Sequence, residues 1–355
     1  MKAYISGIGN ISPQNTSEPG CFPDQFIEYK QEFLTTVEPN YKDYIEPLAR
    51  RRMGKVIRRA IVAASIALKD AGIRIPDAII TGTGHGSIEE TENFLISMLH
   101  HNESLLNPTP FIQATYNSIS TQIAIHLNCK AYNSTYVHRG LSFESALMDA
   151  VMLLEEGSAS NVLVGGADEI TKNHYIIYKR TGTLKEEIIS NTDLLKSNTK
   201  GTIAGEGTVF MVLTNNPTSN TYASITGMKS FYKKLSSAEI NQHILEFLAK
   251  HNLAASDIDV FLTGISGDCE KDTVYYNAAA ELFPGQTLAY YKHLCGEYFT
   301  SPAFAVWLAS NMIKRNEIPS NIIVHGDKPA SLKQILFYNS YNSKQHSLML
   351  ISAVE

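Results

Sequence analysis

Two stretches far apart in the chain carry one pattern. PDAIITGTGHG (Pro76–Gly86) follows a helical stretch and leads into another, SIEETENFLISML. IDVFLTGISGD (Ile258–Asp268) does the same, leading into CEKDTVYYNAAAELF. Each holds an acidic residue, an apolar strand, Thr-Gly and a loop of small residues: Asp77, Thr81 and Gly82 in one, Asp259, Thr263 and Gly264 in the other. Strands in α/β proteins often run into small-residue loops, so this motif alone is weak. The matching flanking helices make duplication the better reading. The best internal boundary is NNPTSNT (Asn215–Thr221), a cluster of turn formers. Two similar α/β halves are therefore expected, at residues 1–215 and 222–355.

The alternation extends along the whole chain. Short β-rich runs, among them AYISGIG, YNSTYVH, NVLVGGA, TVFMVLT, YASITGM, TLAYYK, NIIVHG and SLMLISA, are separated by helical stretches. KVIRRAIVAASIALKDA (Lys55–Ala71) has apolar residues at helical spacing and stops at Gly72, and SPAFAVWLASNMIKR is a second such helix. This predicts α/β layers, with helices packed on mostly parallel or mixed sheets. The 355 residues suffice for a sizeable core. A net charge of -5 and a pI near 6.1 give no reason to propose a nucleic-acid surface. No apolar run is long enough to span a bilayer. The start, MKAYISGIGNISPQ, lacks the basic and apolar regions of a secretory signal, so a cytoplasmic protein is expected. Cys21, Cys129, Cys269 and Cys295 match no metal-ligand spacing and read as reduced thiols.

The stretch STYVHRGLSFESALMDAVMLLEEGSASNVLVGGADE (Ser134–Glu169) reads as strand, tight turn, long amphipathic helix and strand. Turns of this kind often present a nucleophile at a helix N-terminus. This one holds His138, Arg139, Gly140, Leu141 and Ser142, and no cysteine.

Five segments in order resemble the β-ketoacyl synthases of the thiolase fold. MKAYISGIGNISP is similar to the family's first strand, and NPTPFIQATYNSISTQIAIHL to the segment leading to its dimer-interface strand. LLEEGSASNVLVGGADE resembles its Gly-Gly-acid strand, and IAGEGTVFMVL the Gly-Glu-Gly strand that closes its first half. NSYNSKQHSLMLIS sits where the family has a glycine-rich last loop and a final strand. The resemblance implies a layered αβαβα architecture. The chain is shorter than typical synthases, which implies trimmed insertions.

The family's catalytic positions can be carried over one by one. Its nucleophilic cysteine, whose thiolate a helix N-terminus stabilises, falls on Gly140. The first of its two histidines, which polarise the malonyl carbonyl, falls on Thr263. The second lies in a Lys-Ser-x-x-Gly-His loop, matched by KHLCGEY, so Lys292 is retained and Glu297 replaces the histidine. A carboxylate there would repel a developing enolate. The last loop keeps Asn339 and Ser340 but lacks the glycines that bring backbone close to substrate. Nucleophile, both histidines and oxyanion loop are missing together, while the flanking fold motifs survive.

Synthases of this family are dimers whose acyl pockets run along the subunit interface. The resemblance thus implies a chain length factor: a silent copy that pairs with an active ketosynthase, shapes the shared pocket and works on acyl carrier protein substrates. Type II polyketide or aryl-polyene and flexirubin pigment systems are the implied setting, and no cofactor or metal is called for. Phe111, Ile112, Thr115 and Tyr116 are the candidates to project toward the partner's pocket, with His138 and Arg139 beside them; Phe111 and Tyr116 are also readable as core aromatics. CKAYNSTYVH would supply an edge strand for pairing across the dimer axis.

Two other readings stay open: a divergent condensing enzyme or acyltransferase using Cys295, His138 or His293, and a homodimeric carrier-protein scaffold. The basic run ARRRMGKVIRR (Ala49–Arg59) reads as a solvated face or a docking site for an acidic carrier protein. His100–His101 reads as surface, and TGTGHGS (Thr81–Ser87), lacking the lysine of a phosphate loop, as close packing.

Overall fold

The computed structural model describes residues 2–18, 22 and 26–354. Cys21 lies outside the described residues. In chain order the first half holds β1 (Ala3–Ile11), β2 (Phe33–Leu34), α1 (Pro47–Arg50), α2 (Lys55–Ala71), β3 (Ala78–Gly82) and α3 (Ile88–His100). It continues with α4 (Pro108–Gln113), α5 (Ser118–Leu127), β4 (Tyr132–Tyr136), α6 (Ser142–Glu155), β5 (Asn161–Asp168), α7 (Lys172–Arg180), β6 (Ala204–Gly205) and β7 (Gly207–Thr214). The second half holds β8 (Ala223–Tyr232), α8 (Ser237–Lys250), β9 (Val260–Thr263), α9 (Thr273–Leu282) and β10 (Thr287–Tyr290). Then come α10 (Lys292–Cys295), α11 (Ser301–Arg315), β11 (Ile323–His325), β12 (Gln334–Tyr341) and β13 (Gln345–Ser352).

The repeated sequence pattern is matched by repeated topology. The run β4-β3-β5-β7-β1 has the same order of chain positions as β10-β9-β12-β13-β8. The senses match too: β3 pairs parallel with β4 and β5, and β9 parallel with β10 and β12, while β7 and β13 run antiparallel to both their neighbours. The two runs meet at a short antiparallel pairing of β1 with β8, from Ala3↔Ile225 to Ile5↔Ala223.

Helices separate and cover these sheets. On one outer face α2 and α5 bury Ile57, Ile61, Ala64 and Ile123 against Ile79, Leu163 and Val212. On the other, α8 and α9 pack Ile244, Phe247 and Ala278 over Phe261, Leu336 and Leu348. Between them α6 and α11 share one core with strands of both halves, where Phe143, Leu147, Phe304 and Trp307 meet Val164, Met211, Leu262 and Met349. Every residue of α11 from Ser301 to Ile313 is buried, as befits a helix apolar all round. This is the five-layer αβαβα arrangement of the thiolase fold.

Local signals set the elements. Helix α2 ends where Gly72 turns left-handed at φ 69°, and its N–H closes on the Lys69 carbonyl at 3.2 Å. Two expectations need correction. The last loop is not a loop: Asn339, Ser340 and Tyr341 complete β12, which pairs with β13 along its length. Asn342 and Ser343 both take positive φ, 54° and 55°, in the tight turn between them. Such turns match the twist of flanking strands and need no glycine when Asn leads. The basic run, too, is not one solvated face. Arg51 and Arg52 are exposed, but Arg59 is buried on α2 between Glu206 (2.9 Å) and Glu38 (2.5 Å). His100 and His101 are exposed at the end of α3.

Candidate functional site

Strand β4 leaves the sheet edge, and the chain turns sharply into α6. Arg139 takes a left-handed φ of 49° at this elbow, a conformation uncommon for a residue with a side chain. The Ser142 hydroxyl accepts the His138 N–H at 2.8 Å, and the His138 carbonyl accepts from Gln345 Nε2 at 3.2 Å. Gly140 is buried behind the turn. A Cβ on Gly140 would stand 2.6 Å from Cγ of Tyr341. The aromatic ring at the end of β12 therefore occupies the space a side chain at position 140 would need.

Tyr341 forms one wall of a cavity of about 80 Å³, which also touches His85, His174, Tyr178, Glu297 and Phe299. These rings pack edge to face: His85 on His174 at 5.1 Å, His85 on Phe299 at 4.9 Å and His174 on Tyr178 at 4.5 Å between centroids. Burial pushes the His174 imidazole down to about 4 and His85 below its ordinary value, so both are neutral near pH 7. No spacing or motif in the sequence marks these rings as neighbours. His85 sits in TGTGHGS, and Tyr341 lies in a segment read as a loop.

Lys292 and Glu297 come together. Lys292, only 1 % exposed, places Nζ 2.5 Å from Glu297 Oε2. The five-residue spacing around the left-handed Gly296 (φ 74°) folds the loop back on itself. Thr263 is not brought to the cavity: it is buried and its hydroxyl donates to the Ala289 carbonyl at 2.9 Å. Its neighbour Gly264 has Asn339 Oδ1 where a side chain would stand, at 2.1 Å from an ideal Cβ. The loop beyond is held by Asp272, which accepts from the Ser266 and Gly267 N–H groups.

Asp168, the acid of the Gly-Gly-acid strand, ties the site together. It accepts from Thr83 Oγ1 and Gly84 N on one oxygen and from Thr300 N and Oγ1 on the other, at 2.8 to 3.2 Å. Burial raises its pKa, and these four donors pull it back. Gly84 is tightly packed beside it, with the Phe299 ring where a Cβ would go.

A second buried acid has no such support. Glu144, in the first turn of α6, is 2 % exposed, and neither oxygen makes a hydrogen bond of ordinary geometry among the described residues. Burial raises it to about 7, against weaker opposing pulls from its own backbone N–H, the Ser347 hydroxyl and the Lys292 ammonium. Its folded pKa thus lies above the ordinary 4.5. The stability associated with Glu144 is complete below that ordinary value and is lost as pH rises through about 7. Glu144→Gln is expected to stabilise the protein by up to about 3 kcal/mol at pH 8 and to change little at pH 5. Urea unfolding at the two pH values checks this; equal effects at both would contradict it.

The remaining candidates lie elsewhere. Cys295 is fully buried, its thiol lies 3.3 Å from the Gly296 carbonyl, and burial pushes its pKa well up. His293 is stacked on Tyr290 at 4.0 Å and burial pushes it down to about 3. Neither lines the cavity. His138 and Arg139 are exposed, outside both cavities. Phe111, Ile112 and Tyr116 are 56, 61 and 51 % exposed, so Phe111 and Tyr116 are not core aromatics of this chain. Phe111, Thr115 and Tyr116 line an open groove of about 740 Å³ with Ile88, Phe94, Leu95 and Val137, and Phe94 packs on Phe111 at 5.1 Å; Ile112 is not part of it. Beside the groove, among the described residues, β4 pairs only with β3 and leaves its other edge open. Among the described residues no group of three His, Cys, Asp or Glu side chains is placed to hold a metal, and no helix is long and apolar enough to cross a membrane.

The family model for the N-terminal domain of β-ketoacyl synthases matches residues 28–218. The chain is 25 % identical over 204 residues to 3-oxoacyl-[acyl-carrier-protein] synthase 2 of Staphylococcus aureus strain N315, covering 53 % of this chain and 49 % of that protein. The corresponding Synechocystis synthase is 23 % identical over 218 residues, covering 59 % and 50 %. The chain spans about half the length of the curated relatives it matches. Among solved structures, the ishigamide ketosynthase/chain length factor superposes with a TM-score of 0.81 at 16 % identity, covering 100 % of this chain and 99 % of that one. The ketosynthase in complex with its chain length factor from Xenorhabdus doucetiae gives 0.76 at 14 % identity, covering 99 % and 98 %. The family's N-terminal domain is matched over more than half of the chain, on a fold shared from end to end, and this protein belongs to the β-ketoacyl synthase family.

Proposed function

We propose that the chain is a non-catalytic β-ketoacyl-synthase-like subunit. It pairs with an active ketosynthase and shapes the acyl pocket in carrier-protein-dependent biosynthesis, as a chain length factor. One observation carries the reading: the Tyr341 ring stands over Gly140, so the elbow has neither a nucleophile nor room for one. The Lys292–Glu297 pair fits with it, since a carboxylate in that loop opposes charge developing on a bound carbonyl. The open edge of β4 and the apolar groove beside it suit a partner subunit whose growing chain enters there. Exposed Arg51 and Arg52 give an acidic carrier protein a place to dock. A type II polyketide or aryl-polyene setting is the reading that the structural neighbours support by likeness.

The test is native mass, measured for the chain alone and together with a ketosynthase of the same biosynthetic cluster that keeps its Cys-His-His set. A one-to-one heterodimer is expected. A stable homodimer that ignores the synthase would instead favour a carrier-protein scaffold.

A further inference from the structure

The elbow is held between the first turn of α6 and the start of β13. Ser142 on the helix accepts the His138 N–H, and Gln345 on the strand donates to the His138 carbonyl. Two residues further along these elements stand Glu144 and Ser347. Both are buried, at 2 and 1 % exposure, and all three of their side-chain oxygens lack a hydrogen bond of ordinary geometry among the described residues. Glu144 has no counter-charge of its own. The cation that acts on it is Lys292, whose ammonium is already paired with Glu297 at 2.5 Å. The same lysine draws on Asp272, which the Ser266 and Gly267 N–H groups hold in place.

The other elements packed against α6 bring no further charge to Glu144. Strands β3 and β7 and the buried length of α11 carry no ionisable side chain. On β5, Asp168 is taken up by its own four donors. On β4, Tyr132 donates to Asp149, and Tyr136 responds to the same carboxylate. Arg139 in the elbow is exposed. His346, next to Ser347, is engaged by the Tyr338 hydroxyl and the Lys233 carbonyl. An uncharged Glu144 is tolerated in such a place, whereas an ionised one is buried without a partner.

We infer that Glu144 is a proton-operated latch on the elbow: uncharged, it lies between α6 and β13 and the elbow stays shut; ionised, it draws water in and parts them. Parting them lifts the β12–β13 hairpin, and with it the Tyr341 ring, from Gly140. The change falls near neutral pH, where burial places the titration of Glu144. The latch is a property of this chain's own fold and holds whether or not the chain pairs with a ketosynthase.

Amide hydrogen exchange tests it on the unaltered protein and on Glu144→Gln, in the assembly that native mass finds. Exchange is measured at pH 6 and pH 8, with its intrinsic pH dependence divided out. The carboxyl titrates at about 7 when shut in and at its ordinary 4.5 when open to water, so opening of the elbow rises about tenfold over that interval. Protection at the His138 and Leu141 amides, both hydrogen-bonded within the elbow, is therefore expected to fall about tenfold in the parent and to change less than about twofold in Glu144→Gln. These amides are also expected to exchange ahead of those of α2 at both pH values. An unchanged parent, or an equal loss in parent and variant, overturns the latch. So does exchange in step with α2, which would mean that Glu144 ionises only as the whole fold opens. Glu144→Leu, with neither charge nor amide, gives the same reading where the glutamine variant does not fold.

Discussion

Replacing Lys292 with methionine will destabilise the fold by about 3–5 kcal/mol, whereas replacing Lys292 by methionine and Glu297 by glutamine together will cost less than half as much. The asymmetry follows from burial. Lys292 is 1 % and Glu297 15 % exposed, and the pair sits at 2.5 Å. A pair in low dielectric gains little net energy, because both ions lose their water. Removing one partner leaves the other's desolvation cost with nothing to offset it. The effect reaches further, because the Lys292 ammonium also holds the carboxyls of Glu144 and Asp272 below where burial alone would put them. Chemical-denaturation midpoints of the single and double variants at neutral pH measure this. Equal losses in both would mean that the lysine acts through packing of its stem and not through its charge.

Asp168→Ala is expected to cost about 5 kcal/mol, the largest loss from a single side chain in this site. The substitution leaves two backbone N–H groups, of Gly84 and Thr300, and two hydroxyls, of Thr83 and Thr300, without their acceptor. A buried donor left unpaired costs about 1–3 kcal/mol, and relaxation of the two hydroxyls recovers part of the sum. Asp168 ends β5 in the first half, and Thr300 precedes α11 in the second. The bonds therefore join the two halves as well as holding the Thr83–Gly84 loop. Hydrogen exchange should show protection lost first at the amides of Gly84 and Thr300. Unchanged protection there, with stability within about 1 kcal/mol of the parent, would contradict the role given to Asp168.

Much of the fold was legible in the sequence, because its signals are local. The amphipathic run Lys55–Ala71 with Gly72 behind it, and the run Ser301–Arg315, are helices over those residues. The repeated strand–Thr-Gly–loop pattern announced the duplicated topology. A tight hairpin was harder to read: two left-handed residues at Asn342 and Ser343 turned an expected loop into the end of β12. At the site, the absence of a thiol from the elbow and the carboxylate of Glu297 in KHLCGEY are matters of residue type, readable without coordinates.

Where side chains point was not readable. Arg59 sits within a run of basic residues, yet the turn of α2 carries it inward to Glu206 and Glu38. Phe111 and Tyr116 look alike as core or surface until the packing of α3, α4 and β4 leaves them exposed. Tyr341 comes to stand over Gly140, 201 positions earlier in the chain, through the pairing of β12 with β13 and the layering that brings the halves together. The sequence by itself determined which side chains stand at the elbow and in the loop after β10, since that depends only on which atoms the residues possess. Tertiary structure alone decided what stands over Gly140 and which charges pair, because contacts between distant segments depend on how whole layers pack.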